Sequence, residues 1–440
     1  MGPRWLLVIA LVGCGRLDFD STGPAVVHHV TVSGGSVQHE SITAAAAVDD
    51  SGNLYLGGGF STTLDFGLGP LTASASVSIY VSSFGPDLTP RWDQAFAATG
   101  TTSQVSAMVA TRDGLVILGP FQGSVDFGGG PIASMGGDDR FLVNLDLSSG
   151  AYQRAASFGS TADDDNGIGL AVSGDGTVYA GGGCNGAVFH FGGAALAGTT
   201  RDACVGEFSA TGALLDQRRW PNPLDAGMLV LASDPAGLIA SGFFAGTLDL
   251  DGIAMTSGGG KDGFVTRLGT DLTAQWAVQI SSAGDDIVPG VARGTDGSIY
   301  FAGFGTGPIT IAGRSLPMAG VDGFIGQLAP DGTLQWVRVI GDTQTTEIHD
   351  LVVHGDELVV AGHFMGTLTL DGVVLDSAGG SDGFAAGFEV TTGRALWAKR
   401  FGGPLDDEAR VVATAGDQLY VAGFTTGVTE STLFIDALRY

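Results

Sequence analysis

The sequence predicts an all-β protein, a seven-bladed β-propeller of about 61 residues per blade, closed by an N-terminal strand that completes the last blade. Three observations lead there. A segment repeats at an even period along the chain, glycine makes up 74 of 440 residues, and the apolar stretches are short and alternating, with no convincing helical period after the N-terminus.

The repeat has the form Gly-x-Leu-Tyr-Val-Ala-Gly-x-Phe. Anchored on its last glycine before the aromatic, it falls at Gly58, Gly119, Gly182, Gly242, Gly303, Gly362 and Gly423, with spacings of 61, 63, 60, 61, 59 and 61. Between successive anchors comes an Asp-Gly-Phe-like start, as at Asp262-Gly-Phe264, Asp322-Gly-Phe324 and Asp382-Gly-Phe384. Further on comes a tryptophan: Trp92, Trp220, Trp276, Trp336 and Trp397 occupy this slot, and Trp5 alone lies elsewhere. One tryptophan per repeat at one slot is the pattern of packing between blades, not of a sugar site. Turn pairs such as Asp331-Gly332 and Asp371-Gly372 separate the stretches, which gives about four strands per repeat. Four strands repeated seven times is propeller arithmetic.

The ends fit closure. The seventh copy stops at Leu433–Tyr440, where a third strand belongs, and lacks the tryptophan strand. Val26-Val-His-His-Val-Thr-Val32 near the start reads as the missing fourth strand, with His28 and His29 as satisfied strand histidines. Such a ring needs no capping repeats.

Composition narrows function. Acids outnumber bases 46 to 19, for a formal net charge of −27, so the chain repels nucleic acid and anionic lipid headgroups. Hydrophobic residues at 44% and a mean hydropathy of +0.28 are enough to fill a core, which excludes disorder. The glycines lack the Gly-X-Y period of collagen.

The N-terminus supplies an address. Arg4 precedes an apolar run, Trp5–Val12, too short to span a bilayer but suited to a signal peptide. Leu11-Val-Gly-Cys14 resembles a bacterial lipobox, which implies cleavage before Cys14 and its acylation. Residues 1–14 are then leader and lipobox, 15–24 a short tether, and 25–440 a single propeller. Gly15 is not the aspartate that retains lipoproteins at the inner membrane in some bacteria, which points to the outer membrane.

Asp49-Asp-Ser-Gly-Asn-Leu-Tyr55, Asp296-Gly-Ser-Ile-Tyr300, Ser-x-Gly-Gly-x-Asp-Gly-Phe at 377–384 and Gly-Gly-x-x-Asp-Asp at 402–407 resemble the SBBP β-propeller repeats of bacterial envelope proteins. The resemblance covers residues 25–440 and implies an exported propeller, usually without an assigned activity. Thr392-Gly-Arg-Ala-Leu-Trp397 is also similar to the turn of quinoprotein-type blades, but the turns at 148–153 and 331–336 lack the full pattern, and no cofactor set follows.

With the repeats as internal controls, two cysteines stand out. Cys184 and Cys204 replace both members of a recurring aromatic pair, seen elsewhere as Phe121 with Phe141 and Phe244 with Phe264. In an oxidising compartment a disulfide between consecutive strands is expected; two small buried thiols are the alternative.

Acids recur just ahead of the first strand of several blades: Glu40, Asp164, Asp165, Asp225, Asp285, Asp286, Asp406 and Asp407, with Glu347 nearby in blade six. Converging at one channel mouth they would form a negative annulus fit for calcium or a basic partner. The competing reading makes them turn formers that bond their own backbone. No nucleophile or zinc motif is present, and His349, His354 and His363 have no ligand spacing. No catalytic residue and no cofactor is predicted, calcium being the one cation considered. The favoured function is a non-catalytic binding or scaffold protein of the cell envelope. It would be monomeric, touch the membrane only through its N-terminal lipid, and partner an envelope protein or glycan. The alternatives are a channel-sited enzyme, a quinone-dependent dehydrogenase or a glycan lyase, and a calcium-stiffened surface module.

Overall fold

In the computed structural model the described residues are 23–33, 45–74, 76–162, 169–341, 344–427 and 431–440, and none of them is helical. Their strands form a seven-bladed β-propeller of four-stranded antiparallel blades. The innermost strands are Ala45–Val48, Ala107–Thr111, Gly169–Val172, Asp225–Asp234, Ile287–Arg293, Thr346–His354 and Asp407–Ala415. Each pairs outward with the strand that carries the anchor glycine, then with a third strand and a fourth; the fourth carries the tryptophan in five blades, is Tyr152–Phe158 in blade two and is Ala25–Ser33 in blade seven. In blade four the outermost strand, Ala274–Ser281, also pairs with Ile309–Ile311 of the next blade.

The anchor glycine answers to the innermost strand. In blades four, six and seven that strand carries a bulge opposite the anchor, between Met228 and Val230, Ile348 and Asp350, and Ala409 and Val411. The bulge pushes a carbonyl against the facing glycine: a methyl on Gly362 would sit 2.0 Å from the Glu347 oxygen, and one on Gly423 2.0 Å from the Glu408 oxygen. Only a residue without a Cβ allows that approach.

The tryptophans join blades. Trp92 Nε1 donates to the Leu147 carbonyl at 3.0 Å, Trp276 to Pro330 at 3.1 Å and Trp336 to Val390 at 3.0 Å, each acceptor lying in the third-to-fourth-strand turn of the following blade. The rings lie over turn glycines in that same loop. Gly332 has φ +84°, and a methyl there would be 2.7 Å from the Trp276 ring. Trp220 reaches the Asp251 carboxylate of the next blade at 3.1 Å, while Trp397 donates to Glu357 within its own blade.

Between the tryptophan contacts, aromatic pairs fill the blades. Phe121–Phe141, Phe244–Phe264 and Phe364–Phe384 have ring centroids 6.2, 6.3 and 6.0 Å apart. Blade three holds the Cys184–Cys204 disulfide in those slots, fully buried, with a Cα separation of 5.9 Å. The two residues are diagonal neighbours, since Cys184 faces Asp202 and Cys204 faces Gly182 in register.

The ring closes as expected. Ala25–Ser33 lies antiparallel to Ser431–Arg439, with Val32 opposite Leu433 and Val30 opposite Ile435. Val32 is buried, and His29 Nδ1 meets Asp436 at 2.7 Å, a hydrogen bond that raises the imidazole pKa. Deleting residues 25–33 leaves the 431–439 strand without its outer partner and unties the first blade from the last sheet. Thermal unfolding of the truncated protein should begin well below that of full length; an unchanged midpoint would refute closure by this strand. The disulfide joins residues separated by 20 in sequence, a constraint worth roughly 3 kcal/mol. Reductant should lower the denaturant midpoint by a corresponding amount, and a Cys184→Ala/Cys204→Ala protein should no longer respond to it.

Candidate functional site

The carboxylates picked out ahead of the first strands lie at the corners where one blade passes to the next. Cys14, Glu40, Asp164 and Asp165 fall outside the described residues. At each of two such corners a buried aspartate on the third strand receives the backbone of its own loop: Asp262 accepts from Gly258 N at 3.1 Å, and Asp382 from Ala378 N at 2.5 Å. The aspartate that follows in the chain then receives the corner itself. Asp286 accepts from Ser282 N at 2.5 Å, and Asp407 accepts from Gly403 N of its corner and, at 2.7 Å, from Thr426 N at the end of the next strand. Asp285 and Asp406 accept from the Lys261 and Ser381 amides at 2.8 and 2.9 Å. Asp225 instead takes Arg201 Nε at 2.5 Å and Lys261 Nζ at 3.0 Å. Asp286 thus closes its own turn, whereas Asp285 and Asp406 take amides 24 and 25 residues away and Asp225 takes side-chain cations.

Burial without a countercharge shifts two of them. Asp286 is pushed up to about 7 by burial, with the Asp262 carboxylate adding to the rise against the Ser282 hydrogen bonds. Asp407 is raised by burial to about 6. At Asp225 burial also favours the neutral acid, but Arg201 and Lys261 overcome it and hold the pKa low.

A different constellation lies on the two inner strands of blade six and the innermost strand of blade seven. Glu347 and His349 are on the innermost strand of blade six, and His363 follows that blade's anchor glycine. Glu347 is the register partner of His363. His349 is the extra residue of the bulge and, two residues from Glu347, lies on the same side by strand alternation. His349 Nε2 lies 2.9 Å from His363 Nδ1, with the rings stacked at 5.1 Å. From blade seven, Glu408 Oε2 comes within 3.5 Å of His349 Nε2 and 2.6 Å of Arg410 Nε. One ligand atom each from Glu347, His349 and His363 falls within 4.8 Å of the others.

The electrostatics follow from crowding. Burial pushes the His363 pKa down to about 4, and the neighbouring His349 adds to the effect, so His363 is neutral at physiological pH. Burial raises Glu347. Glu408 would rise for the same reason, but the His349 hydrogen bond and the Arg410 charge bring it down to about 2. The set therefore offers a neutral imidazole beside an anionic carboxylate, a combination suited to proton transfer or to holding a cation.

Sequence reasoning passed over this cluster because it sought ligand spacing along one segment. The signal lay in repeat columns. At His363's position the other blades have Gly59, Pro120, Gly183, Phe243, Phe304 and Phe424. At the bulge, blades four and five have Leu229 and Pro289 where blade six has His349.

No known protein family and no curated protein matches the chain. Among solved structures it is similar to a quinohemoprotein alcohol dehydrogenase from Comamonas testosteroni, at 9% identity and a TM-score of 0.44, over 93% of this chain and 76% of that one. It is similar to a catalytically inactive virginiamycin B lyase from Staphylococcus aureus with quinupristin, at 10% identity and TM-score 0.41, covering 93% and 99%. A Bacteroides caccae protein of unknown function matches at 9% identity and TM-score 0.36, covering 72% and 94%. Likenesses this distant carry no argument about activity.

The Asp286 shift gives stability a pH dependence. Below about pH 4 the carboxyl is protonated in both folded and unfolded chains. As pH rises toward 7 the unfolded chain loses its proton first, so stability falls across that window and levels off above it. Asp286→Asn removes this contribution while Asp262, Asp285 and Lys261 remain. Relative to wild type, the variant should gain stability between pH 4 and pH 8 in denaturant titrations; parallel pH profiles would refute the assignment.

Proposed function

We propose that the protein is an exported lipoprotein whose propeller serves as a non-catalytic binding module of the bacterial cell envelope, anchored through Cys14 at the outer membrane. The carrying observation is the Cys184–Cys204 disulfide, fully buried where other blades hold aromatic pairs, in a chain whose remaining cysteine ends a lipobox-like segment. A disulfide belongs to an oxidising compartment, and the leader-like segment supplies a route there. The likeness to SBBP repeats supports the same address. The strong negative charge favours an envelope protein or glycan as partner over any polyanion.

Two acyl chains together bind a membrane firmly where a single chain holds only marginally, so anchoring rests on complete processing at Cys14. A second reading, an enzyme with its site in the channel, is favoured by one observation, the Glu347–His349–His363–Glu408 cluster. Expressed in a bacterium that processes lipoproteins, wild type should incorporate labelled palmitate and sediment with membranes. Cys14→Ser should do neither, yet still reach the periplasm with its disulfide formed. Membrane association that survives Cys14→Ser would overturn the anchor.

A further inference from the structure

We propose that Glu347, His349 and His363, with Glu408 closing the set, form a binding site for a divalent first-row metal ion, with zinc as the representative. The proposal is independent of where the protein is exported and of whether it is an enzyme.

The argument begins with departures from the repeat. Six of the seven blades place a glycine, proline or phenylalanine after the anchor, residues that pack or leave room; blade six places His363. The same blade puts His349 on the bulge and Glu347 opposite His363. One repeat further on, Glu408 occupies the slot of Glu347 in blade seven. Packing alone does not call for four ionisable groups on two adjoining blades, since burying such groups is unfavourable unless each finds a partner.

Partners are incomplete without an ion. His349 Nε2 and His363 Nδ1 are 2.9 Å apart, so only one of the facing nitrogens can carry a proton between them. Among the described residues Glu347 has no hydrogen-bond donor, although its carboxylate lies within 4.8 Å of both ring nitrogens. A metal accepts lone pairs from all three at once. Ligands about 2.0–2.1 Å from a tetrahedral zinc lie roughly 3.3 Å from one another. The 2.9 Å His–His contact and the 3.5 Å His349–Glu408 contact bracket that value, and Glu347, within 4.8 Å of both imidazoles, would close in from farther. Arg410 would stay on Glu408 as an outer partner that orients it.

Ligand chemistry selects the ion. Two imidazoles and carboxylates suit zinc, copper, nickel or iron, whereas calcium and magnesium require oxygen sets. Binding displaces a proton from any imidazole that carries one, and nothing else changes covalently.

The test uses the purified full propeller after chelator treatment and dialysis. Zinc titration by calorimetry should give one tight site per chain, and cobalt(II) should give the visible d–d absorption of a nitrogen-coordinated ion. Calcium at the same concentrations should give neither heat nor stabilisation. His349→Ala and Glu347→Gln should each weaken zinc binding by about tenfold or more, the scale of losing a supporting group at a metal site. Circular dichroism of the metal-free variants must match wild type. His29→Ala, which removes a histidine–aspartate pair elsewhere, should leave zinc affinity unchanged and so separates this site from surface binding. Absence of zinc binding in wild type overturns the proposal. So does undiminished binding in a folded His349→Ala/His363→Ala protein, or cobalt spectra that lack nitrogen coordination.

Discussion

A propeller blade has two apolar faces, and each must be covered by a neighbour that is itself a blade. That demand for continuous face-to-face burial shapes nearly every feature of this molecule. Near the axis the innermost strands approach until a carbonyl of the bulge presses on the facing anchor glycine, as Glu347 does on Gly362. Farther out the blades diverge, and the gap is filled by a tryptophan ring that also finds a hydrogen-bond acceptor in the next blade. At the seam, the pairing of Ala25–Ser33 with Ser431–Arg439 supplies the fourth strand of the last blade and ties both ends of the chain into one sheet. Small near the axis and large at the rim is the radial rule that each repeat restates.

Against that rule, substitutions sort by whether they respect the packing. Replacing a phenylalanine pair by Cys184–Cys204 keeps the slot apolar and filled, and exchanges ring contact for a covalent tie. The corner aspartates Asp286, Asp382 and Asp407 respect it in another way, since each places its carboxylate where backbone amides reach it. Where amides are too few to hold the charge, as at Asp286, the group favours its neutral form instead. The Glu347–His349–His363 set fits neither pattern. It introduces ionisable groups where other blades have Gly227 and Leu229 or Ile287 and Pro289, and no backbone amide is provided for them among the described residues.

The fold was legible because its determinants are periodic. Trp276 and Trp336 mark equivalent outermost strands, Gly303 and Gly362 mark equivalent bulges, and the incomplete seventh repeat announced the strand exchange. The disulfide was legible for the same reason, as two slots changed together. The histidine cluster was not, because its members are brought together by hydrogen-bond register between strands and by the approach of two blades. His349 and His363 sit on paired strands, and alternation puts His349, two residues from Glu347, on the same face as Glu347 and its partner His363. Glu408 lies a full repeat beyond Glu347, a separation that means proximity only when adjacent repeats stand side by side in a ring.

What gives the cluster a fixed geometry is a contact one residue beyond it. Asp350 Oδ2 accepts the Val412 amide at 2.9 Å, bonding the innermost strand of blade six directly to that of blade seven. Glu347 and His349 are thereby held in register with Glu408 and Arg410 by a cross-blade tie, in place of apolar packing alone. Burial pushes Asp350 up to about 7, so the tie sits in a site that disfavours charge. A set of polar side chains is useful only when supporting bonds fix it to within a fraction of an ångström. Here the support comes from the junction between the innermost strands of blades six and seven. A firmly tied part of the propeller is therefore also the part where the repeat was free to accept two histidines and two glutamates.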